Sequence, residues 1–136
     1  MARSKLHPNQ FQVNEAWIAF QLNDEPIQTE QDGLFDVICL MDAASCFIFG
    51  NAFVPTGESD PSEFDARRLL KAGWAHKKRF PATLFLPRGQ FQTTLPAEAK
   101  RQKISVVSVP ESQLLGFIGE ARQGFSEHLQ GKNSEA

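Results

Sequence analysis

Two apolar runs separated by a short turn, Leu34 to Val54 (LFDVICLMDAASCFIFGNAFV), restrict what this chain can become more than any other stretch. Short apolar runs bounded by turn residues read as buried strands, and Asp42 and Ser45 flank the turn with side chains that bond local backbone groups. The stretch therefore reads as a buried β-hairpin. Gly50 and Asn51 in its second arm mark a bulge or a close backbone approach. With Ala43 and Ala44 centring the turn, Cys39 faces Ile48 and Cys46 faces Met41. The cysteines are then diagonal, a poor geometry for a bridge, and read as two free, buried thiols.

The flanking sequence supplies partners for this hairpin. Glu15 to Leu22 (EAWIAFQL) is an aromatic and β-branched first strand, and Met1 to Asn14 a polar arm, loose at least at its start. Asn23 to Gly33 is acidic and carries Pro26; it reads as a loop, with room for a short edge segment around Ile27. Asp60-Pro61-Ser62-Glu63 opens a helix, with Asp60 as cap and Pro61 in the first position. That helix runs to about Lys77 with Ala66, Leu69, Leu70, Gly73 and Trp74 on its core face. Ala82 to Leu86 is a short buried strand, Thr94 to Gln102 a helix capped by Thr94, and Ile104 to Val109 the last strand. Ser108 to Glu111 opens a final helix that buries Leu114, Ile118, Ala121, Phe125 and Leu129 and stops near Gly131. The order β-β-β-α-β-α-β-α predicts an α/β domain with a five-stranded mixed sheet flanked by helices. Its expected extent is residues 15–130, between a flexible arm (1–14) and a disordered tail (131–136).

A length of 136 residues with 41% apolar and 22% charged residues suits one soluble domain. No apolar run reaches the roughly 18 residues of a spanning helix. The N-terminal residues lack a secretory pattern, so no membrane and a cytoplasmic location are expected. Charge is unevenly placed. Residues 1–66 hold two Lys/Arg and eleven Asp/Glu, whereas residues 67–103 hold ten Lys/Arg and one acid, Glu98.

The order of elements, the hairpin LMDAASCFIFG and the run LFLPRGQF followed by a helix and ISVVSVPES resemble the ribonuclease H-like superfamily, which includes the catalytic cores of retroviral integrases and DDE transposases. The resemblance spans about residues 17–130. It implies a two-metal site built from a carboxylate inside the first strand, another just after the fourth strand and a third on the last helix. Hard divalent ions need such anionic oxygens. The first strand here has no acid before Asp24, beyond its end. Pro87 and Arg88 stand where the second acid belongs, and only Glu111, Glu120 and Glu127 are offered for the third. The pattern implies a degenerate core without catalytic residues, metal or cofactor.

Nothing else in the chain replaces that chemistry. His7, His76 and His128 are scattered, without zinc spacing. There is no nucleophile elbow, P-loop or dinucleotide fingerprint. A rearranged acidic site from Asp24, Asp36, Asp42 or Glu120 is the enzymatic alternative, although Asp42 reads more simply as a local backbone acceptor. The feature above background is basic: Arg67, Arg68, Lys71, Lys77, Lys78, Arg79, Arg88, Lys100, Arg101 and Lys103. Such a surface suits nucleic-acid phosphates or an acidic protein partner, while amphipathic helices with solvated cations, and a pI near 5.9, argue the other way. The expected function is a non-catalytic binding or assembly domain, with a homo-oligomeric scaffold joining acidic and basic halves as a further alternative.

Overall fold

The computed structural model describes residues 6–23, 26–29, 33–58 and 60–134, with residues 29 and 128–134 described by backbone alone. The hairpin forms its centre. Strand β3 (Gly33–Asp42) lies antiparallel to β4 (Ile48–Pro55), and along its other edge it pairs with β1 (Ala16–Gln21) over Ile38–Asp42. Strands β5 (Thr83–Pro87) and β6 (Ser105–Val109) extend the sheet from β1 in parallel.

The sheet has six strands rather than the expected five. Ile27–Thr29, read from sequence as loop, forms β2 and pairs with Gly33–Phe35. Ile27 packs on the apolar cluster beneath, which gives a single apolar residue in an acidic stretch enough purchase for a three-residue edge strand.

Pleating sends alternate residues to opposite faces. Trp17, Ala19, Ile38, Leu40, Leu84 and Leu86 meet α1 (Glu63–Lys77) and α2 (Thr94–Arg101) on one side. Ile18, Phe20, Val37, Cys39 and Met41 meet Leu114 and α3 (Leu115–Ser134), through Phe117 and Ile118, on the other. Burial of each such α3 side chain stabilises the fold by roughly 1.5–3 kcal/mol. The N-terminal segment joins this second layer, with Phe11 edge-on to Phe85 at 5.7 Å. The expected loose start of the arm falls on residues 1–5, outside the described residues.

Several local expectations need correction. The hairpin turn is longer than two residues: Asp42 N–H donates to Phe47 O and Cys46 N–H to Asp42 O, with Cys46 at φ 60°. Phe49 is the extra residue between Met41↔Ile48 and Leu40↔Gly50, so Cys39 pairs with Asn51, not Ile48, and Cys46 has no partner in the ladder. Both thiols are free, but Cys46 is only half-buried. Ser62, not Asp60, caps α1, accepting from Asp65 N–H at 3.0 Å. Asp60 instead accepts from the N–H groups of Thr93 and Thr94 and caps α2, whose own Thr93 side chain makes no cap bond. Trp74 is 43% exposed rather than core. Gly73 takes the inward position, where its missing Cβ admits the ring of Trp17 from the sheet. The final helix is preceded by a 3-10 turn at Glu111–Leu114 and continues past Gly131 to Ser134. Leu129, expected in the core, lies among residues described by backbone alone.

Candidate functional site

Because β1, β5 and β6 run parallel, their N-terminal ends share one edge of the sheet. Thr83 pairs with Ala16 and with Ser105, and Ala82 N–H bonds Glu15 O across the same edge. Helix α1 delivers the chain to β5 and α2 delivers it to β6. Lys77, Lys78 and Arg79 therefore arrive beside Lys100, Arg101 and Lys103. Lys78 and Lys103 occupy left-handed turning positions at φ 63° and 62°. Lys71 lies earlier on the exposed side of α1.

The other predicted cations have structural duties. Arg67 and Arg101 converge on Glu98 at 3.5 and 3.3 Å, and this nearly buried carboxylate thereby ties α1 to α2. Arg68 bonds Asp65 and the carbonyl of Asn51, holding α1 to β4. Arg88 stands at the opposite edge, after β5, where its N–H bonds Val109 O. Lys71, Lys77, Arg79, Lys100 and Lys103 make no ion pair among the described residues.

A buried network holds this basic edge in place. Asp42 is fully buried and accepts from Asn14 N–H (2.7 Å), Ser45 N–H (2.9 Å) and Ser45 Oγ (2.9 Å). Asn14 in turn accepts from Trp17 Nε1 at 2.8 Å and donates to the carbonyl of Arg79 at 3.4 Å. An open groove of about 290 Å³ lies alongside, lined by Val13, Asn14, Glu15, Arg79 and Phe80 among others.

The opposite edge is where the resemblance would place metal, and the residues do not fit. β1 ends in Gln21, whose amide donates to Asn23 O, and β5 ends in Pro87. Glu111 is committed: Arg122 Nη1 donates to it at 2.8 Å and Gln90 Nε2 at 3.0 Å. Hydrogen bonding from Arg122 holds the Glu111 carboxyl below the usual glutamate range, against the opposing effect of partial burial. Arg122 Nε also donates to Gln21 O. One guanidinium thus joins the end of the first strand to the last helical layer, the two elements a metal would have bridged. This pair was invisible in the sequence except as an acid and a base three helical turns apart.

Among the described residues the rearranged acidic alternative does not assemble. Asp36 accepts from Asn23 at 3.0 Å and sits six residues along β3 from Asp42, about 20 Å away. Glu120 lies on α3, and Asp24 is outside the described residues. No group of three His, Cys, Asp or Glu among the described residues is placed to hold a metal ion. The thiols are poor nucleophiles at neutral pH. Burial pushes Cys39 up to about 12, and burial with the Glu120 and Asp42 carboxylates pushes Cys46 up.

No family model matches the sequence, and no curated protein resembles it by sequence. Solved structures do resemble it in shape. A chain of the simian T-cell lymphotropic virus intasome, in complex with PP2A regulatory subunit B56 gamma, superposes at TM-score 0.57 and 14% identity over 98% of this chain. The match spans 43% of that longer chain. The catalytic core domain of BIV integrase superposes at TM-score 0.56 and 9% identity, covering 90% of this chain and 74% of that one. The fold is accordingly ribonuclease H-like, of the integrase-core type. No helix of the described residues is long and apolar enough to cross a membrane.

Proposed function

We propose that this domain is a non-catalytic binding module that engages nucleic-acid phosphates through the basic edge formed by Lys71, Lys77, Lys78, Arg79, Lys100 and Lys103. The observation that carries the reading is the convergence of two helix C-termini on one edge of the sheet, which gathers cations distant in sequence. Phosphate binding by such an edge draws its free energy from counterion release and steepens with each neutralised phosphate. The Arg122–Glu111 pair and Pro87 support the non-catalytic half of the proposal: Glu111 is engaged by Arg122, Pro87 stands where the second acid belongs, and no group of three possible metal ligands assembles among the described residues.

The test is fluorescence anisotropy of a labelled oligonucleotide across a salt series. Binding should weaken steeply with salt, and the double variant Lys77→Glu/Lys78→Glu should lose at least tenfold affinity, with a log–log salt slope shallower by about 2. Salt-insensitive binding, or an unchanged affinity in the double variant, would refute it. A second reading is favoured by the charge polarity: Asp36, Glu58, Asp60, Glu63 and Asp65 lie toward the edge opposite the cations, so copies can associate head to tail. In that case light scattering at low salt would show a larger mass that the same double variant abolishes.

A further inference from the structure

The basic edge carries more than charge. Around the helical circumference of α1, Phe64, Arg67, Arg68, Lys71 and Trp74 form one outward stripe that runs to the capping residue Lys78, with Phe64 72% and Trp74 43% exposed. Phe64 begins the stripe, about 15 Å from Trp74. At the basic end the Lys78 ammonium lies over the Trp74 ring, 5.4 Å from its centroid. His76 stacks on Phe47 of the hairpin turn at 4.4 Å and 15° between planes. Phe47 is itself 47% exposed. Large aromatic faces thus stand in solvent beside cations, of which Lys71 and Lys78 have no carboxylate partner among the described residues.

A duplex hides its base faces and offers a protein phosphates and groove edges. Single-stranded nucleic acid offers both phosphates and free base faces, which stack on exposed aromatic rings beside cations. Building on the phosphate-binding reading above, we infer that the basic edge takes single-stranded nucleic acid, with Trp74 as a base-stacking platform and Lys77, Lys78 and Arg79 on the flanking phosphates. Trp74 stays exposed because Gly73, its neighbour, surrenders the core side to Trp17.

The two tryptophans make the test direct. Trp17 is fully buried and hydrogen-bonded to Asn14, so quenching by an added ligand reports on Trp74. Titration with an unstructured oligothymidine should quench the fluorescence saturably, while a duplex of equal length should quench it little. Trp74→Ala should weaken oligothymidine binding about tenfold, the scale of one base–aromatic stack, and leave duplex binding unchanged. Trp74→Phe should recover most of the affinity. If Trp74→Ala leaves single-strand binding unaltered, or duplex or polyglutamate binds as tightly as oligothymidine, the stacking inference is overturned while salt-sensitive charge recognition survives. Absence of salt-dependent binding to any nucleic acid would overturn both readings, and circular dichroism of the variants separates either result from misfolding.

Discussion

At the scale of single residues, Asp42 illustrates how a carboxylate in a family's characteristic hairpin can be wholly structural. Its three hydrogen bonds come from the N-terminal segment and from its own turn, and its burial leaves no face for a ligand. Removing it strands the buried Asn14 N–H and frees two partly buried Ser45 donors, and each unmet buried donor costs about 1–3 kcal/mol. Asp42→Ala is therefore expected to lower unfolding free energy by about 3 kcal/mol in urea titrations, and Asp42→Asn by less. Glu111 makes a different prediction, because its carboxyl titrates below the usual range through Arg122. A depressed folded-state value means the unfolded chain takes up the proton first. The pair's contribution is therefore present at neutral pH and is lost as pH falls through the folded value, below the ordinary glutamate range. Glu111→Gln should lower Tm at pH 7 by a few degrees, and the gap to wild type should close as the pH falls below about 4. A gap that widened on acidification would contradict the assignment.

At the scale of elements, two competing magnitudes meet at Gly73. Helix propensity favours Gly→Ala by about 1 kcal/mol. A Cβ at Gly73, however, would lie 2.5, 2.8 and 2.9 Å from three ring carbons of Trp17, which is fully buried and pinned through its Nε1. Overpacking of a rigid core costs about 1–3 kcal/mol, so Gly73→Ala should destabilise, and an increase in Tm would sink this account. Asp60 offers a complementary test of where a cap acts. Asp60→Ala should cost about 1 kcal/mol and accelerate amide exchange at Thr93 and Thr94, not at Asp65 on the neighbouring helix. Most elements were legible because their signals are local: the hairpin's apolar runs, the β-branched ISVVSV, and the apolar spacing of α1. What escaped was tertiary. Nothing near Asp60 reveals that its partner lies 33 residues away. Trp74 satisfies the core periodicity of α1 as well as Gly73 does, and only the position of Trp17 decides between them.

At the scale of the molecule, the charge imbalance between the first and middle parts of the sequence becomes a polarity in space. Glu63 and Asp65 stand in the first turn of α1, Asp60 meets the N-terminus of α2, and basic side chains stand at both C-termini, an arrangement that also complements both helix dipoles. The polarity places the cations at the edge opposite the position implied for metal, so the candidate interface is separate from any catalytic position the resemblance implies. That position could be recognised from sequence as lacking carboxylates, through Pro87 and WIAFQL. Its replacement by a fixed cation could not, since Arg122 reaches Gln21 from 101 residues away. The arrangement makes a metal-binding prediction that the whole fold reports. An ion held by the native state at 100 times its Kd would add about 2.7 kcal/mol, a rise of several degrees in Tm for a chain of this size. Thermal melting with millimolar Mn²⁺ should show no such rise in wild type. Arg122→Ala should melt lower than wild type, and Mn²⁺ should not restore it, because Glu111 alone cannot replace the missing second carboxylate. A metal-dependent rise in wild type that disappeared in Asp36→Asn or Asp42→Asn would instead reveal an acidic site assembled by movement of β3, and the non-catalytic reading would have to be withdrawn.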